Sequence, residues 1–107
     1  MFMDIINQVL EDFISTSPSQ SAKQSMWALR DVLEERRRQD NKWGEQTHPN
    51  EWYFPILLEE IGELANAMLE DHFQYSGAKH SDIRKEAVHA CAVALAMIEC
   101  IDRREAR

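Results

Sequence analysis

Ala87-Val88-His89-Ala90-Cys91-Ala92-Val93-Ala94-Leu95-Ala96-Met97-Ile98 is the stretch that decides the fold. Every residue in it except His89 is apolar. Laid on a helix of about 100° per residue, the stretch is apolar on all sides, and a helix of that kind is normally surrounded by others. It is too short to span a bilayer and it carries His89, so a membrane span is excluded. The prediction is an all-α bundle with this helix inside it, capped at Ser81 or Asp82 and running to about Arg104.

Outward from there the chain reads as three more helices. Gln74 to Lys79, around Gly77, is a turn. Before it, a third helix starts after Asn50 as N-cap, tolerates Pro55 in its first turn, and carries Leu57, Leu58, Ile61, Leu64, Ala65, Met68 and Leu69. Asp40 to Trp52, with Gly44 and Pro49, reads as an ordered loop. A second helix over about Gln20 to Gln39 has an apolar stripe of Ala22, Met26, Leu29 and Leu33, widened by Ala28 and Val32. Its last turn, Arg36-Arg37-Arg38, is basic, which suits the negative end of a helix dipole. Ser15 to Ser19, with Pro18, separates it from a first helix at about Asp4 to Ile14, whose Ile5, Ile6, Val9, Leu10, Phe13 and Ile14 share a face.

Only three glycines and three prolines occur in 107 residues, and neither an internal repeat nor a low-complexity segment is visible. The length allows one domain, residues 1–107, with one modest core. Four helices from so short a chain hardly enclose a helix that is apolar all round, so dimerisation through helices, as a homodimer or homotetramer, is expected. The formal net charge is −7. Binding to nucleic acid by charge needs a basic face, which this chain lacks. Cys91 and Cys100 are nine positions apart, on opposite faces of one helix, and cannot pair within it. They read as buried thiols in a reducing cytoplasm. Met1-Phe2-Met3-Asp4 has no basic segment or apolar core of a signal peptide.

Three groups of residues could carry chemistry. Glu59, Glu60 and Glu63 lie on the third helix, the latter two beside its apolar arc. Like charges so placed repel by a few tenths of a kcal/mol per pair, and more as water is excluded. A divalent cation reverses that cost, although an acidic triplet most often only faces water. On the fourth helix, Glu86 and His89 share a face at i and i+3. A lone His in an apolar run is more often a hydrogen-bonded core residue than a ligand. An ionised Glu86 at the edge of such a helix needs a partner, a cation or a raised pKa. Together the two pairs suggest a hard-cation site for Mg²⁺ or Mn²⁺, formed from oxygen ligands on two packed helices. In the loop, Lys42 can meet phosphate and Trp43 can stack on a base, or the pair simply covers the core edge.

Gln39-Asp40-x-Lys42-Trp43-Gly44-x-Gln46-x-His48-Pro49, then Leu58-Glu59-Glu60-x-Gly62-Glu63, then Ala92 to Ile98 with Glu99, Ile101 and Asp102, resembles a group of MazG-like proteins. The likeness covers about Val32 to Arg104. The first helix and its turn, residues 1–19, lie outside it. The wider all-α nucleotide pyrophosphohydrolase family implies Mg²⁺ held by an E-x-x-E pair and a later E-x-x-D pair. Water so activated cleaves a nucleoside triphosphate into the monophosphate and pyrophosphate, a house-cleaning activity. The resemblance maps Glu60 and Glu63 to the first pair, Glu59 to its acidic neighbour and Glu86 to the start of the second. His89 stands where the pattern has Asp. A neutral imidazole supplies one ligand but no charge, which weakens a Mg²⁺ site or turns it toward Mn²⁺. In this reading Glu59 takes the water's proton, while Lys42 and Arg103 or Arg104 hold phosphate oxygens.

Two other readings compete. Glu86-x-x-His89 is the spacing of di-iron carboxylate bundles, in which a homodimer would supply the second motif. A non-catalytic dimeric helical module is the other.

Overall fold

Four helices form in the computed structural model: α1 (Phe2–Ile14), α2 (Gln20–Trp43), α3 (Asn50–Phe73) and α4 (His80–Arg104). The structure describes residues 1–73 and 80–105. The expected turn at Gln74 to Lys79 and the side chain of Ser81 lie outside the described residues.

The helix ends follow local chemistry. Ser19 caps α2, its hydroxyl accepting the Ala22 N–H at 3.1 Å. At the other end α2 runs through Asp40, Lys42 and Trp43, one turn beyond the expected stop at Gln39. It ends where Gly44 takes a φ of 74° and its N–H donates to the Asp40 carbonyl at 2.7 Å. Only glycine adopts that backbone cheaply, so the glycine, rather than the polar run before it, sets the end. In α3, Asn50 is the first helical residue instead of the cap, which puts Pro55 just past the first turn.

α4 lies between α2 and α3, and α1 leans on α2 alone; no other helices pack together among the described residues. The buried apolar residues are few: Leu10, Val32, Tyr53, Ala67, Ala92, Val93 and Cys100. Their distribution confirms α4 as the common floor, with alanines that let its neighbours approach closely. Because the backbones of α2 and α3 do not approach each other among the described residues, a furrow stays open above that floor. This is an all-α bundle in open form, a slab of 42 × 37 × 22 Å.

The consequence is a chain with too little inside it. Its radius of gyration is 16.0 Å, against about 13 Å for a compact domain of this length. Its accessible surface is 7515 Å², against roughly 6,200 Å² for a compact monomer of this mass. The side of α3 that packs carries Tyr53, Leu57, Glu60, Leu64 and Ala67, whereas Phe54, Leu58, Ile61, Ala65 and Met68 form an apolar stripe facing solvent. Of the two thiols expected to be buried, Cys100 is and Cys91 is not, because α4 is packed by α2 and α3 rather than enclosed on every side; both are free. No described helix is long and apolar enough to cross a membrane.

Candidate functional site

The furrow between α2 and α3 contains a cavity of about 240 Å³. Its floor is His89, Val93 and Ala96 of α4. Tyr53, Ile56 and Glu60 of α3 form one wall, and Glu35, Arg38, Gln39 and Trp43 of α2 the other. Small residues on the floor leave the space, and the half-exposed indole of Trp43 stands at its edge.

Of the expected metal ligands, Glu60, Glu86 and His89 come together. One ligand atom from each lies within 4.8 Å of the others, and all three residues are half-buried. His89 Nδ1 is 3.6 Å from Glu86 Oε2. Glu60 Oε2 and Glu86 Oε2 are both buried and accept no hydrogen bond. A buried carboxylate oxygen without a donor is costly, and two of them facing one imidazole make a donor set for a hard divalent cation. Burial is the largest cause holding the Glu60 carboxyl above its ordinary value; Glu63, Glu86 and Glu59 add to it by repulsion and His89 opposes it. Glu63 and Glu59 themselves are exposed and flank this group without joining it.

The substrate-side residues divide. Trp43 and Arg103 line the cavity, whereas Lys42 lies outside its wall with Nζ 4.7 Å from the centre of the Trp43 ring. Arg103 is already engaged, donating to the Gln46 carbonyl at 2.9 Å and lying 3.5 Å from Glu45. Arg104 donates to the His48 carbonyl and to Asn50 Oδ1. Tyr53 and Cys100 also donate to the Gln46 and His48 carbonyls, and the His48 ring stacks on Trp52. The Gln46-x-His48-Pro49 segment is thus a latch that ties the loop to the end of α4 and closes one end of the cavity.

Asp40 serves a different purpose from the one expected of a loop residue. Arg36, only 4% exposed, donates to Glu99 Oε1 at 2.6 Å and pairs with Asp40 at 3.1 Å, which locks α2 to α4. Burial works against the charge of Arg36, but the Glu99 and Asp40 carboxylates outweigh it and raise its pKa.

Sequence reasoning missed Glu35, Arg38 and Tyr53. Glu35 is buried, with both oxygens held by Arg38 at 2.7 Å. A signal was present: continuing the stripe by three or four residues from Val32 lands on Glu35 and Arg36, and a further step from these on Gln39. A polar residue in phase with a buried stripe marks a built interaction, because it must be partnered there.

The chain matches no family model, no curated protein and no solved structure.

Proposed function

We propose that the chain is a divalent-cation-dependent nucleoside triphosphate pyrophosphohydrolase, acting in the cytoplasm on non-standard or excess (deoxy)nucleoside triphosphates. The observation that carries this reading is the convergence of Glu60, Glu86 and His89, with two unpartnered carboxylate oxygens, at the wall of a cavity edged by Trp43.

In this reading Glu60, Glu86 and His89 hold Mg²⁺ or Mn²⁺, and Glu63, one turn on from Glu60, adds a further carboxylate. The bound ion supplies charge neutralisation for the phosphates and a lowered pKa for water. Glu59 accepts the proton as water adds across the α–β anhydride, giving the nucleoside monophosphate and pyrophosphate. Trp43 stacks on the base while Ile56, Val93 and Ala96 exclude water around it. Arg103 exchanges its Glu45 contact for a phosphate oxygen, and Lys42, next to Trp43, meets another. An acidic chain thereby binds an anionic substrate through the ion rather than through its net charge.

The assembly is proposed as a homodimer or homotetramer. The solvent-facing apolar stripe of α3 and the surface in excess of a compact monomer support it.

One observation favours a second reading. Glu60 with Glu86-x-x-His89 is half of a di-iron carboxylate set, which a dimer would complete. The cavity and the Trp43 edge have no task in it.

The test is pyrophosphate release from a panel of ribo- and deoxyribonucleoside triphosphates with Mg²⁺ or Mn²⁺, beside Glu60→Gln. Monophosphate and pyrophosphate as products, lost in the variant, are expected. A folded oligomer that releases none with any pair, and is isolated with iron, overturns the hydrolase reading in favour of the di-iron one.

A further inference from the structure

Glu35 is absent from the cation ligands named above, yet it is the best-anchored carboxylate near them. Arg38 Nε and Nη2 donate to its two oxygens at 2.7 Å each, and Gln39 Nε2 adds a third contact at 3.3 Å. Its Oε1 faces His89 Nε2 at 3.7 Å. On the far side of the same ring, His89 Nδ1 faces Glu86 Oε2 at 3.6 Å. The imidazole is therefore bracketed. Its Nδ1 edge looks toward Glu86 Oε2, an oxygen that accepts no hydrogen bond, and its Nε2 edge toward an oxygen that is fixed in place.

From this bracketing we infer that Glu35 is the positioning residue of His89, accepting its Nε2–H so that Nδ1 carries the lone pair toward the cation. The inference rests on the cation reading of the Glu60, Glu86 and His89 group. An imidazole binds a metal through one nitrogen only when the proton sits on the other, and a carboxylate behind the ring sets that choice and raises the ring's basicity. The 3.7 Å separation is longer than a hydrogen bond, and such contacts in unliganded sites commonly tighten when the ligand arrives.

The pairing also answers a deficit of charge. A neutral imidazole brings no negative charge to a divalent ion. Glu35 places a carboxylate behind the ring, aimed by Arg38; its Oε1, which accepts from Arg38 Nε at 2.7 Å, keeps a second lone pair for His89. Arg38, Glu35 and His89 line both the cavity and a second, more open groove that includes Arg84 and Lys85. The three residues form the partition between the two spaces.

The experiment measures Mn²⁺ affinity by electron paramagnetic resonance and, with Zn²⁺ as a diamagnetic probe, which His89 nitrogen is metallated by long-range ¹H–¹⁵N correlation. The proteins are wild type, Glu35→Gln, Glu35→Leu, His89→Asp, and Glu35→Leu combined with His89→Asp. Wild type should bind through Nδ1 and retain a protected Nε2–H. Glu35→Leu should weaken Mn²⁺ by about 10-fold or more and lose that proton's protection. Glu35→Gln keeps an acceptor oxygen and should recover most of the affinity. In the His89→Asp background, Glu35→Leu should change affinity by less than about twofold, since the ring through which Glu35 acts is gone. Metallation through Nε2, or unchanged affinity and Nε2–H protection in a folded Glu35→Leu, overturns the inference. Absence of Mn²⁺ binding to folded wild type overturns the cation reading itself, and this inference with it. The two failures are distinguishable because only the first leaves the wild type binding Mn²⁺.

Discussion

Glu60 shows how one side chain registers its surroundings. Its carboxyl is held above the ordinary value near 4.5, first by burial and then by the charges of Glu63, Glu86 and Glu59. A carboxyl whose pKa is raised by folding contributes stability that is fully present below the unfolded value and is lost as pH rises through the folded value. Glu35 and Asp31 behave oppositely. Burial opposes their charge, but arginine partners prevail and hold both carboxyls low. Their contribution is present above the unfolded value and is lost as pH falls through the folded one. Glu60→Gln should therefore stabilise the metal-free chain at neutral pH by about 0.5 kcal/mol, from the relief of like-charge repulsion. The gain should shrink toward zero below about pH 4. The same variant should abolish the rise in melting temperature that Mn²⁺ gives the wild type. Thermal melts across pH, with and without the ion, check both parts, and a destabilised Glu60→Gln would contradict the assignment.

At the scale of elements, α2 is decided by its two ends and one buried arginine. Gly44 has a φ of 74° and a ψ of 174°, a combination almost confined to glycine, while the space around it is open. Gly44→Ala should therefore cost about 1–3 kcal/mol through backbone conformation alone. Because Trp43 precedes it, nucleotide KM should rise more than kcat falls, which steady-state kinetics beside a denaturant melt can separate. Arg36 joins α2 to α4 through Glu99 and is braced by Asp40 of its own helix, both carboxylates partly exposed. Arg36→Leu should cost about 2–4 kcal/mol, toward the lower end of the range for a broken buried pair, because those carboxylates regain water. A loss under 1 kcal/mol in urea denaturation would mean that the pair contributes little.

For the whole molecule, the decisive fact is the apolar stripe on α3 that the single chain leaves in water. Phe54, Leu58, Ile61, Ala65 and Met68 repeat at alternating four- and three-residue spacing, the pattern of a helix–helix seam. The proposed dimer buries that seam. Leu58→Glu combined with Ile61→Glu should convert the assembly to monomers in light scattering without disturbing helix content, since neither side chain is buried in the chain itself. An unchanged mass would move the interface elsewhere.

Helix number, helix type and the central place of α4 were legible in the sequence, because hydrophobic periodicity is local and α4's lack of a polar face admits few alternatives. The residue pairs Glu60 with Glu86 and His89 were legible as types and spacings. Which of them meet was not, since neighbours on two different helices depend on how those helices rotate and cross. That rotation placed Glu60 inside the α3–α4 contact, left Glu63 at its margin, and turned much of α3's apolar stripe outward. It also made α2 and α3 diverge, opening a cavity that no residue pattern announces. Glu35 illustrates the division most sharply. Its phase with the apolar stripe of α2 marks it as a position turned inward, but only the packing of α2 on α4 sets its carboxylate against His89, because long-range distance is a property of the assembled chain rather than of its order.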